Sequence, residues 1–232
     1  MFDRKIHVRR RRALTERCGA GLLLLPGNAE SPANYADNCY PFRQDSSFLY
    51  YLGLDQPGLA AVVDADSGET SLFGNDASLD DIVWTGPLPS VAERAQAIGA
   101  ERHGSLGDLA DAVAGREVHY LPPYRAETVL WLAELLGRTP TEVRAGPSLA
   151  FIRAVVHHRA VKGPVEFAEL VTAVRKSVAK QEAAIRMARP GLGEAEIAAE
   201  VERIALAAGG RPAFPVIATV RGEVLHNHDH GG

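Results

Sequence analysis

The sequence predicts an α/β protein with a layered first part and a helix-rich second part. Over roughly the first 145 residues, short apolar runs bounded by turn residues alternate with helical stretches, which is typical of a sheet covered by helices. The remainder is helical almost to its end. Hydrophobic residues make up 46% of the chain and charged residues 23%, which is enough apolar material for a buried core.

Five short runs are predicted to be strands, because each is rich in branched or aromatic residues and most end at glycine, proline or aspartate. They are residues 21–25, 48–52, 59–63, 70–73 and 117–121. The turn between the third and fourth runs, ending in Ser67-Gly68, predicts that these two strands form a hairpin.

Helices are predicted between and after these strands. A first helix carries the basic run Arg9-Arg10-Arg11-Arg12, which we interpret as a solvated helix face. Three further helices are predicted at 89–98, 106–114 and 125–136. Gly137 follows the last of them and is expected to end it.

Two longer helices dominate the second part. One begins at Pro164 and runs for about 25 residues, because apolar residues recur there at steps of three and four and Pro190-Gly191 ends the pattern. The other is predicted at 194–208. Strands are predicted at 213–220 and 223–226. We place one domain at 1–150 and a second at 151–232, with the boundary somewhere in 137–164 and Gly146-Pro147 as one candidate.

Composition narrows the classes of function. The net charge of -4 gives no indication of nucleic-acid binding or of an anionic membrane surface. Cys18 and Cys39 form neither a disulfide framework nor a CxxC pair, which favours a reducing compartment. No apolar region long enough for a signal peptide or a membrane span follows the basic N-terminus, so the cytoplasm is the expected location.

The chain closes on VLHNHDHGG, in which His226, His228 and His230 occupy alternate positions. In a strand these three side chains would share one face, while Leu225, Asn227 and Asp229 would share the other. The spacing alone is compatible with a metal site, with an active-site wall or with a polar strand end. The signatures HExxH, GxxxxGK[ST], GxSxG and GxGxxG are absent from the sequence, so common nucleotide-binding and serine-hydrolase functions have no support.

Other polar and aromatic residues favour structural roles. The run Arg43-Gln44-Asp45-Ser46 is expected to cap or salt-bridge the predicted strand that follows it. Trp84 is expected to pack, because an indole buries a large area. His157-His158 lies at a predicted helix end, where histidine is favourable for the helix dipole.

Several stretches, taken in order, resemble aminopeptidase P, the Xaa-Pro aminopeptidase family. FRQDSSFLYYLG at 42–53, within 22–64, resembles the hallmark run of the family's N-terminal domain. LFGND, DIVWTG and VHYLPPYR are similar to one bacterial branch. The helices after residue 161 and the segment FPVIATVRGEVLHNHDHGG are similar to the opening of the family's catalytic pita-bread domain.

The resemblance implies an N-terminal creatinase/aminopeptidase P-type α/β domain with a mixed sheet, followed by an incomplete α+β pita-bread domain. It implies metal-dependent removal of an N-terminal residue that precedes proline. The family uses two divalent ions, usually manganese, whose carboxylate-rich ligand set suits that metal. All of these ligands are expected downstream of Gly232, so we expect no metal ligand in this chain and no activity from these 232 residues alone.

The resemblance also assigns roles to the histidines. His226 matches the family histidine that lines the active site and contacts the substrate without binding metal. His228 and His230 would then lie near the mouth of the cleft as substrate-binding residues. Gly232 departs from the pattern, because relatives often have asparagine there.

Two alternatives stay open. A creatinase-like enzyme of the same fold would cleave a C–N bond without metal, using the equivalent histidine as acid and base. A non-catalytic assembly or binding module is the other.

The expected partners are Xaa-Pro peptides and further copies of the chain, as a dimer or tetramer. We also expect the apolar stripes of the last two helices to be left uncovered, so that this part is less ordered or is sheltered by another copy.

Overall fold

The computed structural model describes residues 2–224 and 226–232 of the chain. It separates into two compact units, Met1–Val161 and Lys162–Gly232. This division falls inside the interval that the sequence indicates, whereas the domain ranges 1–150 and 151–232 remain predictions. Within the described residues, no helix has the length and apolar character needed to cross a membrane.

The first unit is built on a mixed five-stranded sheet with the order β4-β3-β2-β1-β5. Its strands are β1 (Leu22–Pro26), β2 (Ala60–Asp64), β3 (Thr70–Phe73), β4 (Arg102–Gly104) and β5 (Val118–His119). The predicted hairpin is confirmed, since β2 and β3 pair antiparallel. β1 also pairs antiparallel with β2 and parallel with β5, and β4 runs parallel to β3.

The first unit also contains eight helices in the described chain. They are α1 (Arg4–Cys18), α2 (Ser46–Leu52), α3 (Leu79–Thr85), α4 (Val91–Ile98), α5 (Leu109–Val113), α6 (Ala126–Leu136), α7 (Pro140–Ala145) and α8 (Leu149–Ala160). A 3-10 turn precedes α5. Local chemistry sets several of the starts: at α4, Ser90 and Glu93 form a reciprocal capping box. Gly137 ends α6 in the left-handed conformation, as predicted.

Two apolar clusters form the core of the first unit. Alternate residues of β1 belong to different clusters, with Leu23 and Leu25 in one and Leu22 and Leu24 in the other. Because successive side chains of a strand point to opposite faces, the two clusters lie on opposite sides of the sheet. Residues of α1, α2, α4 and α8 join the first cluster, and residues of α5, α6 and α7 join the second. A strand that is buried on both faces has apolar residues at consecutive positions, and the strand segments of this sequence show that pattern.

The predicted strand at 48–52 is wrong: these residues belong to the helix α2. The Asp45 carboxylate accepts hydrogen bonds from the amides of Ser47 and Phe48, and Gly53 closes the helix in the left-handed conformation. A short apolar run has no periodicity long enough to separate helix from strand, so the flanking cap residues decide. Asp45 therefore does cap the element that follows it, but that element is a helix.

The arginine run is not a solvated face throughout. Arg9 and Arg12 are exposed, but Arg10 and Arg11 are buried. The guanidinium of Arg11 donates to the hydroxyl of Thr70 and to backbone carbonyls at the ends of α2 and α4. Helix C-termini leave carbonyls without intrahelical partners, and a guanidinium has donors enough to satisfy several of them. Neither the net charge of the chain nor the length of the arginine run indicates that Arg11 is buried and binds backbone carbonyls.

The second unit contains α9 (Pro164–Met187) and α10 (Glu194–Ala207), both close to their predicted bounds. The predicted strands at 213–220 and 223–226 are wrong, because the described residues there form only turns and irregular backbone. Leu225 lies outside the described residues. A strand needs a neighbouring strand for its amides and carbonyls, whereas the Val220 amide here donates to a side chain, the Glu194 carboxylate.

Candidate functional site

The three histidines lie in the irregular segment that follows α10. The side chains of His226 and His228 are exposed, and neither ring forms a hydrogen bond within the part of the chain that the structure describes. His230 is half-buried, and its Nε2 lies 3.0 Å from the carbonyl oxygen of Val216. Two of the imidazole rings are therefore exposed to solvent, whereas the third contacts a backbone carbonyl.

Because the segment is not a strand, the argument that alternate histidines share one face does not hold here. No group of three or more His, Cys, Asp or Glu side chains that could hold a metal ion occurs among residues 2–224 and 226–232. The geometry brings the histidines into one segment but not into a ligand cluster. Their roles in substrate contact stay predictions.

Glu194, the first residue of α10, holds this segment in place. Its carboxylate accepts hydrogen bonds from the Val220 amide at 2.6 Å and from the Gly232 amide at 3.3 Å. Its own amide donates to the Gly232 carbonyl at 2.9 Å. The backbone N–H of Val220 is the largest influence lowering the pKa of this carboxyl, and the Thr219 hydroxyl and Gly232 amide contribute in the same direction. The group is therefore held as a carboxylate.

Sequence reasoning placed Glu194 only at a helix start. An acidic residue in the first turn of a helix is a common signal, and it suits the helix dipole. Its partners lie 26 and 38 positions further along the chain. No local pattern points to such distant partners, so the structure was needed to find them.

The polar run 43–46 organises a turn in the first unit. Gln44 is buried, and its Oε1 accepts hydrogen bonds from the amides of Asn28 and Asp45. Its Nε2 donates to the Gln56 carbonyl at 2.7 Å. These contacts tie the end of β1 to the start of α2, in agreement with the structural interpretation of this run.

The expectation for Trp84 is wrong, because its side chain is 87% exposed. It lies on α3, a helix of seven residues with no buried side chain. Leu79 and Val83 on the same helix are also exposed. The size of an indole favours burial only where a neighbouring element is available to cover it.

His157 and His158 occupy the last turn of α8, as predicted. The Nδ1 of His158 lies 3.1 Å from the hydroxyl of Tyr51. Burial lowers the pKa of His158, and the nearby cation of Arg17 adds to that effect. This histidine is part of the packing between α8 and the rest of the first unit.

Comparison with known proteins matches residues 7–120 to the family described as aminopeptidase P, N-terminal domain. The matched range runs from α1 through β5, the last strand of the sheet. The Xaa-Pro aminopeptidase of Escherichia coli K12 is 26% identical over 213 residues, which covers 86% of this chain and 48% of that protein. The chain therefore contains a match to the N-terminal domain of the aminopeptidase P family. Its match to the E. coli protein covers more of the chain than the first unit alone, so it extends into α9 and α10.

Other relatives and solved structures agree. A probable Xaa-Pro aminopeptidase of Uncinocarpus reesii is 35% identical over 77 residues, covering 33% of this chain and 16% of that protein. The structure of E. coli aminopeptidase P in its low-pH form has the same fold over 90% of this chain and 50% of that one, with a TM-score of 0.75 and 23% identity. The predicted mixed α/β architecture is thereby confirmed. This chain spans about half the length of the E. coli relative that it matches.

Proposed function

We propose that the protein acts as an Xaa-Pro aminopeptidase, which removes an N-terminal residue that precedes proline. The observation that carries this proposal is the length of the match to the E. coli Xaa-Pro aminopeptidase. It is not limited to the N-terminal domain at 7–120 but covers 86% of the chain. The match therefore includes part of the second unit.

The bond before proline needs a dedicated site, because a tertiary amide offers no N–H to an enzyme. We assign His226 to the wall of that site. Its exposed imidazole makes no hydrogen bond with the described residues, so it is available to donate to a peptide carbonyl or to accept from an amine, as its protonation dictates. His228 is available in the same way, and His230 would contribute at the edge of the site.

Two manganese ions are the proposed cofactors. The residues described here do not fit that role, because they contain no cluster of three or more potential ligands. We therefore assign the metal ligands to positions outside 1–232 and derive no step through the metals from this chain. When bound, such a metal pair would polarise the scissile carbonyl and activate water.

The direct test is hydrolysis of an Xaa-Pro tripeptide in the presence of manganese. It is run on the 232-residue chain and on the product of the longest continuous reading frame of its gene. We expect no turnover from residues 1–232 alone. If the frame is longer, we expect its product to release the N-terminal residue.

Variants sharpen the same assay. His226→Ala in an active form should lower kcat/KM by roughly 100-fold or more, within the range of a lost acid–base or positioning contact. His103→Ala, at an exposed position of β4, is the control and should leave the rate unchanged. Turnover by residues 1–232 alone would refute the placement of the ligands, and metal-independent hydrolysis of creatine would favour the creatinase-like alternative.

A second candidate function is assembly with further copies of the chain. The exposed apolar residues of α3, with Trp84 the largest, are the observation that favours it. Sedimentation velocity should show a dimer or tetramer, and Trp84→Ser should shift the distribution toward the monomer. A monomer at all concentrations would exclude this candidate.

We also propose a cytoplasmic location. Both cysteines, Cys18 and Cys39, are free, and burial raises the pKa of the Cys18 thiol to about 11. Free thiols agree with a reducing compartment. Cell fractionation that places the protein outside the cytoplasm would contradict the assignment.

A further inference from the structure

The histidine-bearing segment is closed into a loop by a single residue, Glu194, whose backbone amide also donates to the carbonyl of Gly232. Val220 and Gly232, at the two ends of the loop, both donate their amides to the carboxylate of Glu194. Each of the two carboxylate oxygens accepts one of these hydrogen bonds. All three histidines, His226, His228 and His230, lie between the two ends of the loop.

We propose that Glu194 is a positioning residue for the proposed substrate-contacting histidines. This inference rests on the proposed function, because it assigns Glu194 the task of presenting His226 and His228 to the substrate. Glu194 itself touches no reacting atom in this scheme. It acts through the loop whose ends it holds.

The surroundings of Glu194 explain why a carboxylate is needed. The residue is only 5% exposed, so its charge requires hydrogen bonds to replace lost water. Two backbone amides and the Thr219 hydroxyl supply them. The N-terminus of α10, a helix of 14 residues, adds a favourable dipole. A carboxylate offers two acceptor oxygens at once, whereas an amide side chain of the same shape offers one.

The other hydrogen bonds of the loop are mostly local. The Asp229 amide donates to the Asn227 side chain, and the Val224 amide donates to the Arg221 carbonyl. These bonds shape turns but do not attach the loop to α10. Attachment at both ends removes chain freedom from everything between them, which is how a distant residue fixes the position of His226.

Hydrogen exchange on the 232-residue chain tests the clamp without any activity. Glu194→Gln keeps the shape but replaces one acceptor oxygen by an NH2 group, so one of the two amides loses its partner. Glu202→Gln, at an exposed position of the same helix, is the matched control. We expect exchange at Val220 and across 216–232 to accelerate by roughly tenfold or more in Glu194→Gln, since hydrogen bonds to charged groups are the stronger ones.

The remainder of the protein should not respond. Amides in α9 and the middle of α10, and the thermal midpoint, should match those of Glu202→Gln. Glu194→Ala removes both acceptors and should accelerate exchange further, but the conclusion rests on Glu194→Gln in case the alanine variant misfolds. Equal exchange at 216–232 in Glu194→Gln and Glu202→Gln would overturn the clamp.

Steady-state kinetics then separate positioning from a purely structural role. In an active form of the protein, Glu194→Gln should lower kcat on an Xaa-Pro tripeptide by roughly tenfold or more, with an unchanged thermal midpoint, because displaced catalytic groups slow the reacting step. Unchanged kcat would overturn the positioning role. If the product of a longer reading frame cleaves no such peptide, the proposed function fails, and the exchange result on the 232-residue chain still decides whether Glu194 holds the loop.

Discussion

The two units differ in where their large apolar side chains lie. In the first unit, a sheet covered on both faces buries aromatic and branched residues such as Phe48, Tyr51 and Phe151. In the second unit, the buried residues of the described chain are Ala183, Glu194, Ala198 and Ala205. The larger apolar side chains of α9 are exposed instead: Val165, Phe167, Leu170, Val174, Val178 and Ile185.

This contrast shows that an apolar stripe along a helix does not by itself produce a buried core. The periodicity of α9 correctly predicted a helix of 24 residues. The resemblance to an incomplete pita-bread domain led us to expect this stripe to lie uncovered, and the exposure of α9 agrees with that expectation. Burial requires a second apolar surface that faces the stripe, and that surface is a property of the fold rather than of the helix.

The largest expected effect tests this contrast with two phenylalanines. Phe151 in α8 is fully buried, whereas Phe167 in α9 is 63% exposed. Phe151→Ala should lower the free energy of unfolding by about 3–5 kcal/mol, because it removes a core ring and leaves a cavity. Phe167→Ala should change it by about 0.5 kcal/mol or less. Urea denaturation of both variants provides the measurement, and similar losses would show that Phe167 is covered in solution.

The next effect concerns the arginine run of α1. Arg11 is 3% exposed, and desolvation by burial lowers the pKa of its guanidinium to about 10, although the cation donates four hydrogen bonds. Arg11→Ala would leave buried carbonyls of α2 and α4 unpaired and should cost about 3 kcal/mol. Arg12→Ala, on the exposed face, should be within about 0.5 kcal/mol of the wild type. Equal stabilities in urea would contradict the assignment of Arg11 as a structural cation.

The smallest effect is a pH dependence that arises in the first unit. Burial is the main cause that lowers the pKa of His7; its hydrogen bond to the Tyr50 carbonyl opposes this, and Arg10 and Arg11 lower it further. Its Nε2 is buried without a hydrogen-bond partner among the described residues. Between the lowered pKa and about 6.5 the unfolded chain binds more protons than the folded one, so stability must fall as the pH is lowered through that window.

Unfolding free energies measured from pH 7 to pH 5 provide the check. His7→Asn keeps a donor toward the Tyr50 carbonyl but removes the titrating ring, so its stability should fall less steeply with decreasing pH. Part of the slope should remain, because burial also lowers the pKa of His158. An unchanged slope in His7→Asn would show that His7 does not carry this dependence.

Much of the fold could be predicted from local signals. Cap residues and apolar periodicity placed α4, α6, α9 and α10, and the apolar runs at β1, β2 and β3 identified the centre of the sheet. The candidate site was predicted less well. The sequence identified the histidine segment, but the strand predicted there is absent from the described residues. Strand formation depends on a neighbouring strand that the segment itself does not contain.

By itself, the sequence determined the helix and strand content of most elements, the resemblance to the aminopeptidase P family, and the identity of the histidine segment, because these depend on neighbouring residues and on the order of motifs. Only the tertiary structure decided that Arg11 is a buried cation, that Trp84 is exposed, and that Glu194 holds Val220 and Gly232. The physical reason is common to all three. Burial and hydrogen bonding between residues distant in sequence depend on which surfaces come into contact in the fold. Local composition does not specify those contacts.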